Sequence, residues 1–568
     1  MEKIGNVILD DTFYHGEDLY TDGKIEDDLL EIVKEGKQNK ILYESNQWPI
    51  LYHLSDIREN LLDWYFFQDN ADILEIGAGC GALTGLLSRK AKTVTCVELS
   101  KKRSMINAYK NKDCNNVRIV IGNFKDIEFN KKFDYITLIG VWEYSGLYVG
   151  GDTPYIDMLQ RMKELLKENG KIIVAIENKM GLKYWNGARE DHTGKFYSSI
   201  NDYVGDRNVR TFSKAEIIEA LKETGLCNYD FYYPMTDYKL PNTIYSEKYL
   251  PNPGNIRCYG EEYSMDRVYN FYDATVFDQL CKDPMFEYFA NSFLFICGTH
   301  KLEERKVIFA QYARERCEKY RICTFITEEN GERIVVKKAL NESAKKHITE
   351  MKVREEKWID ALPGLCYTKG SIQSGQYRIP YIDGIALDEY LFVWRNNPRE
   401  FIHQVKRILT QYLTPDESQM IPFIKTERFV EVFGKEAPEK GKSLKTTNID
   451  LIFSNLKMTE DKRVFNYDYE WVFDFEIPYE FVIWRILEDL YNKYKIYLRQ
   501  YILLEDFLEK VGINIQNASS YEKMQRSFSK YVFGINEENK YMRRYRKKVI
   551  ISPNKYDYIV DFMKKITT

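Results

Sequence analysis

From Asp72 onward, short β-branched runs alternate with stretches whose apolar residues recur at helical spacing. The runs Asp72–Ile76, Thr93–Glu98, Val117–Ile121, 134–139 and 171–177 read as strands, and 81–90, Lys101–Lys110 and 156–167 as the helices between them. Alternation at this spacing predicts a parallel, doubly wound sheet. Another helix is predicted to start at Ser213, where Ser213 and Glu216 form a Ser-x-x-Glu capping box, and to stop at Gly225. Before this region, residues 1 to 65 are polar and mixed and end in an apolar-rich segment, 48–64. After it, 240–285 is irregular and aromatic, resembling an inserted cap, and the apolar run 292–297 supplies a late strand.

A charged junction at 300–306 marks a change of order. Strands come first (320–327 and 333–338, with a hairpin turn at 328–332 that places Gly331), then a long helix from Lys345, then mostly helices. The tail from about 501 reads as helical and carries the basic run Arg543-Arg-Tyr-Arg-Lys-Lys548. The expected organisation is a lead-in over 1–65, a doubly wound domain over 66–300 with its cap at about 240–290, an α+β domain over 307–500, and the tail over 501–568.

Composition narrows the classes. A chain of 568 residues exceeds one ordinary core. With 44% hydrophobic and 30% charged residues it reads as folded rather than disordered. The net charge of −4, from 82 basic and 86 acidic residues, gives no global basic field, so no nucleic-acid partner is expected. Ten cysteines without a CxxC pair argue against a zinc or redox site and for a reduced, cytoplasmic setting. No apolar run approaches the ~18–20 residues of a membrane span. Peripheral contact with an anionic inner face through the basic tail is the expected limit of membrane association, at about 1 kcal/mol per charge.

The chemistry begins at Ile73-Leu-Glu-Ile-Gly-Ala-Gly-Cys-Gly81, a strand entering a glycine turn and a helix. Gly77, Gly79 and Gly81 leave room for a ligand where a Cβ would intrude, and the helix offers free N–H groups. Glu75 is placed to receive an amino group. A GxGxG turn also serves dinucleotide enzymes. Glu98 ends the second strand, where a carboxylate can hold ribose hydroxyls, and Asn123 follows the third strand, facing an adenine. The fourth strand, Phe133-Asp-Tyr-Ile, leads into a loop through Tyr144. Over residues 50–300 this arrangement resembles class I S-adenosylmethionine-dependent methyltransferases. The resemblance implies S-adenosyl-L-methionine as donor and a Rossmann-like fold. Arg58, in Ser55-Asp-Ile-Arg-Glu-Asn60 before the first strand, is a candidate to cross the donor's carboxylate.

The segment after the fifth strand, Ile176-Glu-Asn-Lys-Met-Gly-Leu-Lys-Tyr-Trp-Asn-Gly-Ala-Arg-Glu-Asp-His192, is dense in hydrogen-bonding groups and flat aromatics, which suits a sugar or another polyol. His192 is the candidate base for an acceptor hydroxyl. The segment resembles methyltransferases of bacterial surface-glycan assembly.

In the second domain, Ile348, Met351, Trp358 and Leu362 form an apolar stripe that includes Glu355, so that carboxylate is expected to be buried and to meet Lys337 or Lys338. Asn448-Ile-Asp-Leu-Ile-Phe-Ser-Asn455 has D-x-x-x-x-N spacing, and Asp468 follows. This order resembles the protein-kinase-like fold of aminoglycoside-phosphotransferase-like enzymes. The resemblance implies Asp450 as catalytic base, Asn455 and Asp468 as Mg²⁺ ligands, and Lys337 or Lys338 with Glu355 at the phosphates of ATP. It departs from the pattern at Asn448, where a histidine is usual, and in lacking a glycine-rich loop. Together the two domains resemble bifunctional enzymes that terminate O-antigen chains, which implies a glycan or sugar-phosphate substrate and a glycosyltransferase partner. The competing expectations are a sugar-hydroxyl methyltransferase with an inert second domain, and a non-enzymatic scaffold of polysaccharide assembly.

Overall fold

The structure, a computed structural model, describes residues 1–18, 20–206, 209–257, 262–302, 306–534 and 541–551, with the side chains of 550 and 551 excepted. Parts of the expected cap (258–261), of the junction (303–305) and of the tail (535–540 and 552–568) lie outside the described residues. The chain divides into two units. One comprises 1–251, 258–311 and 541–568, and the other 252–257 and 312–540.

In the first unit the β-branched runs form the middle of a twisted sheet. Its strands are β1 (Glu2–Ile4), β2 (Val7–Asp10), β3 (Asp72–Ile76), β4 (Thr93–Glu98), β5 (Val117–Ile121), β6 (Phe133–Ile139), β7 (Leu166–Glu177), β8 (Asn228–Met235) and β9 (Thr243–Ser246). After the separate strand β10 (Arg267–Tyr269) come β11 (Ser292–Gly298) and β12 (Lys306–Tyr312). The spatial order is β1-β2-β5-β4-β3-β6-β7-β11-β8-β9-β12. Strands β2, β5, β4, β3, β6 and β7 run parallel, and β11 lies antiparallel to both β7 and β8. The chain leaves β3 first toward β4 and later toward β6. That reversal opens a crevice at the carboxyl ends of β3 and β6, where open α/β sheets bind ligands.

The middle strands are buried on both faces: Ile73, Leu74, Val94, Cys96, Ile119, Ile136 and Leu138 are all at most 1% exposed. This is why they read as near-continuous apolar runs rather than alternating ones. The capping box forms as expected. Ser213 accepts from the Glu216 amide, Glu216 closes back on the Ser213 amide, and the helix Lys214–Glu223 ends before Gly225 at φ +70°.

Three differences from the sequence expectations are structural. Residues 1–65 are not merely a lead-in, because β1 and β2 extend the sheet beyond β5. The region from 240 carries β9, β10 and the helices Asp273–Lys282 and Phe286–Phe289, so it is more regular than its aromatic sequence suggested. After the helix Met542–Tyr545, the residues Val549–Ile551 pair in parallel with β10, so the last described residues form a strand rather than helix. Tyr541, Met542 and Tyr545 are buried in a cluster with Leu29, Leu42, Ile50 and Ile57. The Tyr541 and Ser55 hydroxyls lie 2.8 Å apart, and Tyr545 Oη donates to the Leu42 carbonyl at 2.7 Å. Two members of the basic run are spent on backbone carbonyls: Arg544 donates to Tyr43 and Lys547 to Asn46.

The second unit opens with β13 (Ile322–Glu329) and β14 (Glu332–Ala339), a hairpin turned at Asn330 and Gly331, both at positive φ. The strands Gln376–Pro380 and Ser371–Gln373 complete this sheet. The helix Lys345–Trp358 buries His347, Ile348, Met351, Glu355 and Trp358. It stops at Trp358 because Ile359 is extended, so Leu362 reaches the core from a loop. Helices including Pro398–Tyr412, Tyr479–Leu498 and Ala518–Phe533 follow, interspersed with two- and three-residue strands that the sequence pattern does not reveal. Among the described residues, no helix is long and apolar enough to cross a membrane.

Candidate functional site

The crevice at the sheet's carboxyl edge is a cavity of about 780 Å³ lined by both halves of the expected site, donor turn and acceptor segment. Gly77, Gly79 and Gly81 all take positive φ, at +67°, +54° and +75°. A Cβ at Gly77 would lie 2.3 Å from Val141 Cγ2, and one at Gly81 would lie 2.2 Å from Asn107 Oδ1. Gly79 meets nothing within 4 Å and lines the cavity, the opening a ligand backbone contact needs. Glu98 steadies the turn by accepting from the Gly79 amide at 2.7 Å and the Ser100 amide at 3.0 Å. Asn123 caps the short turn that follows β5 and donates to the Tyr148 carbonyl. Arg58 donates to the Lys239 carbonyl at 2.7 Å and stacks on Tyr52, while its buried Nε has no hydrogen-bond partner. Glu98, Asn123 and Arg58 all line the cavity.

Glu75 also lines the cavity, but it points at its own fold. The Thr84 hydroxyl donates to it at 2.6 Å, and Cys96 lies 3.3 Å away. Burial pushes its carboxyl up to about 7 from an ordinary 4.5. Between those values the folded state holds a proton that the unfolded chain has released, so this residue's share of stability is lost as pH rises through the window. Glu75→Gln, which stays neutral, is expected to melt like wild type near pH 4 and to exceed it by up to about 3 kcal/mol at pH 8. Melting curves at the two pH values check this, and equal stabilities at pH 8 would contradict it.

The acceptor side is built on the loops after β6 and β7. Glu190 gathers the amides of His192 and Thr193, the Tyr203 hydroxyl, and His192 Nδ1 at 2.8 Å. His192 Nε2 lies 3.4 Å from Glu143 Oε1 and 4.0 Å from Glu177 Oε2. The Tyr144 ring stands edge-on to the imidazole. Burial alone would push His192 down, but its bonds to Glu143 and Glu190 and the charge of Glu177 outweigh that and hold it well above the usual imidazole range. A ring held on both nitrogens between carboxylates is not the free base that the sequence suggested. Beside it, Lys239 pairs with Glu177 and, at 2.5 Å, with Asp191. Lys183 bridges Asp191 and Asp237 at 2.9 and 2.8 Å. Sequence reasoning did not single out Glu143, Glu177, Glu190, Lys183 or Lys239. The N-terminal Tyr20 also reaches the cavity, as does Arg103, which pairs with Asp22 and Glu26.

In the second unit Lys337 is buried and Lys338 only half-buried. Lys337 does not pair with Glu355. Its Nζ lies 2.6 Å from Asp468 and 3.7 Å from Glu470. Glu355 is satisfied instead by Lys352, the Gly370 amide at 2.7 Å and the Tyr377 hydroxyl at 2.5 Å. Neutral donors fill most of the role that the stripe pattern had assigned to the strand lysine. Asp450, pushed up to about 6 by burial, accepts from Asn455 at 3.1 Å and faces Arg485 at 3.4 Å. Asn448 accepts from the Asp450 amide and donates to the Asp468 carbonyl, tying the two loops together. Glu470 pairs with Arg316 and, at 3.0 Å, with His347, neither of which the motif reading included.

Residues 74–172 match the family model described as a methyltransferase domain. A protein described as an uncharacterized methyltransferase, from Staphylococcus carnosus, is 33% identical over 150 residues, which is 24% of this chain and 68% of that protein. A ribosomal RNA small subunit methyltransferase A from Fusobacterium nucleatum is 43% identical over 51 residues, 9% of this chain and 19% of that protein. Among solved structures, a complex of the Haloferax volcanii Trm112 methyltransferase activator with its methyltransferase is 15% identical at a TM-score of 0.28, covering 49% of this chain and 98% of that one. On the family-model match over residues 74–172 and the Staphylococcus carnosus relative, the chain belongs to the S-adenosylmethionine-dependent methyltransferases.

Proposed function

We propose that the first unit transfers the donor's methyl group to a hydroxyl oxygen of a glycan end. The supporting observation is the far end of the donor's own cavity, where Glu143, Glu190, Asp191, His192, Lys183 and Lys239 present hydrogen-bonding groups beside flat rings such as Trp48 and Tyr52. Polar groups flanked by aromatic faces suit a sugar. The charge balance favours a hydroxyl over a terminal phosphate. Glu143, Glu177, Glu190, Asp191 and Asp237 are set against two lysines and one imidazole, which would repel an anionic end. The test incubates the protein with labelled donor and oligosaccharides that end in hydroxyl, amino or phosphate groups, and locates the methyl group by tandem mass spectrometry. Labelling of a hydroxyl end is expected. Labelling of the amino or phosphate end alone, or of none, would overturn the assignment.

A second reading concerns the other unit, where Lys337, Asp450, Asn455 and Asp468 converge from separate segments. We infer an ATP- and Mg²⁺-dependent phosphotransferase site there, with Lys337 toward the phosphates and Asn455 and Asp468 toward the metal. The convergence supports this, although Lys337 and Arg485 occupy the carboxylates that the metal and the substrate would need. ATP with Mg²⁺ is expected to raise the melting temperature of wild type but not of Lys337→Met. Absence of any shift at saturating ATP would leave this unit as a binding module.

A further inference from the structure

The structure points to a divalent metal ion held by Glu143, Glu177 and His192 at the acceptor end of the methyltransferase cavity, and we propose this as a site in its own right. It deepens the reading above and rests on it.

Three observations from different elements carry it. Glu143 comes from the turn after β6, Glu177 from the end of β7, and His192 from the loop that follows, yet one ligand atom from each lies within 4.8 Å of the others. Ligand atoms gathered at that separation can close on one ion. Next, the carboxylates are buried without the partners burial demands. Glu143 is 1% and Glu177 0% exposed, and neither Glu143 Oε2 nor Glu177 Oε2 has a hydrogen-bond partner. Lys239 sits at Glu177 Oε1 and leaves Oε2 on the side of His192. Finally, His192 is oriented as a metal-bound imidazole usually is. Nδ1 is engaged by the Glu190 carboxylate at 2.8 Å, which fixes the ring and directs Nε2 toward the two other ligands.

Two carboxylate oxygens and one imidazole nitrogen suit a first-row divalent cation with open positions, such as Mn²⁺. The ion would take up the excess negative charge of this wall and bind the acceptor's oxygen against the donor. A hydroxyl bound to it gives its proton to solvent water more readily. That supplies the function which a histidine clamped between carboxylates does not.

The experiment uses the full chain, stripped with a chelator and titrated with Mn²⁺ while free ion is followed by electron paramagnetic resonance. Binding of S-adenosylhomocysteine by calorimetry runs in parallel as a check on folding and on the donor site. One Mn²⁺ per chain is expected, with affinity weakened at least about tenfold in Glu143→Gln and in Glu177→Gln while the homocysteine product still binds. No saturable Mn²⁺ binding to wild type that binds the product, or binding unchanged in both variants, would overturn the metal site and leave the methyltransferase intact. Failure of wild type to bind the product would remove the reading on which the proposal rests, and the proposal with it.

Discussion

Glu143→Gln is expected to slow methyl transfer by a factor on the order of 10²–10⁴ while S-adenosylhomocysteine binding persists. The residue stands in the short turn after β6, buried, with one carboxylate oxygen toward His192 and the other without a partner. Glutamine keeps the volume and removes the charge. The glycine turn, Glu98 and Arg58, the candidate donor residues, are left in place, so the loss should fall on the rate and not on donor affinity. Single-turnover rates with calorimetry separate the two. A variant that binds donor and retains full turnover would place the acceptor chemistry elsewhere in the cavity.

The second large effect is expected on the donor side. Glu98→Ala should weaken S-adenosylhomocysteine binding by about 1.5–3 kcal/mol, or roughly 10- to 150-fold. Two losses act together. The candidate acceptor for the ribose hydroxyls is removed, and the amides of Gly79, in the turn after β3, and of Ser100, after β4, lose the carboxylate that holds them. Calorimetric titration measures this directly. Affinity within a factor of two of wild type would mean that Glu98 serves the turn alone.

The strand–turn–helix unit of the candidate donor site was the most legible part of the sequence because its residues are local. Glu75, Gly77, Gly79 and Gly81 sit in one strand–turn–helix unit, and Glu98 ends the neighbouring strand. The acceptor site was not, because its parts are distant along the chain. Glu143 and His192 are 49 positions apart, and only the parallel neighbours β6 and β7 bring their loops together. An acid in a loop carries no signal of its own. β1 and β2 escaped notice for a related reason. Three and four residues in a polar stretch make no periodicity, and their pairing with β5 is a long-range fact. The stripe around Glu355 correctly foretold its burial but named the wrong partner, a strand lysine. A buried carboxylate can be met by an amide and a phenol as well as by a cation, and here Gly370 and Tyr377 do so.

The return of residues 541–551 to the first unit has a consequence for biosynthesis. Tyr541, Met542 and Tyr545 complete a core begun by Leu29, Leu42 and Ile57, with more than 480 positions between Ile57 and Tyr541. On the ribosome, that core stays open at one side until nearly the whole chain has emerged, whereas every residue of the second unit has been made by Lys540. The second unit can therefore finish folding before the first, although translation started on the first. A gene fragment cut after Gln311 would encode a methyltransferase sheet with an unsealed hydrophobic face, prone to aggregate when expressed alone.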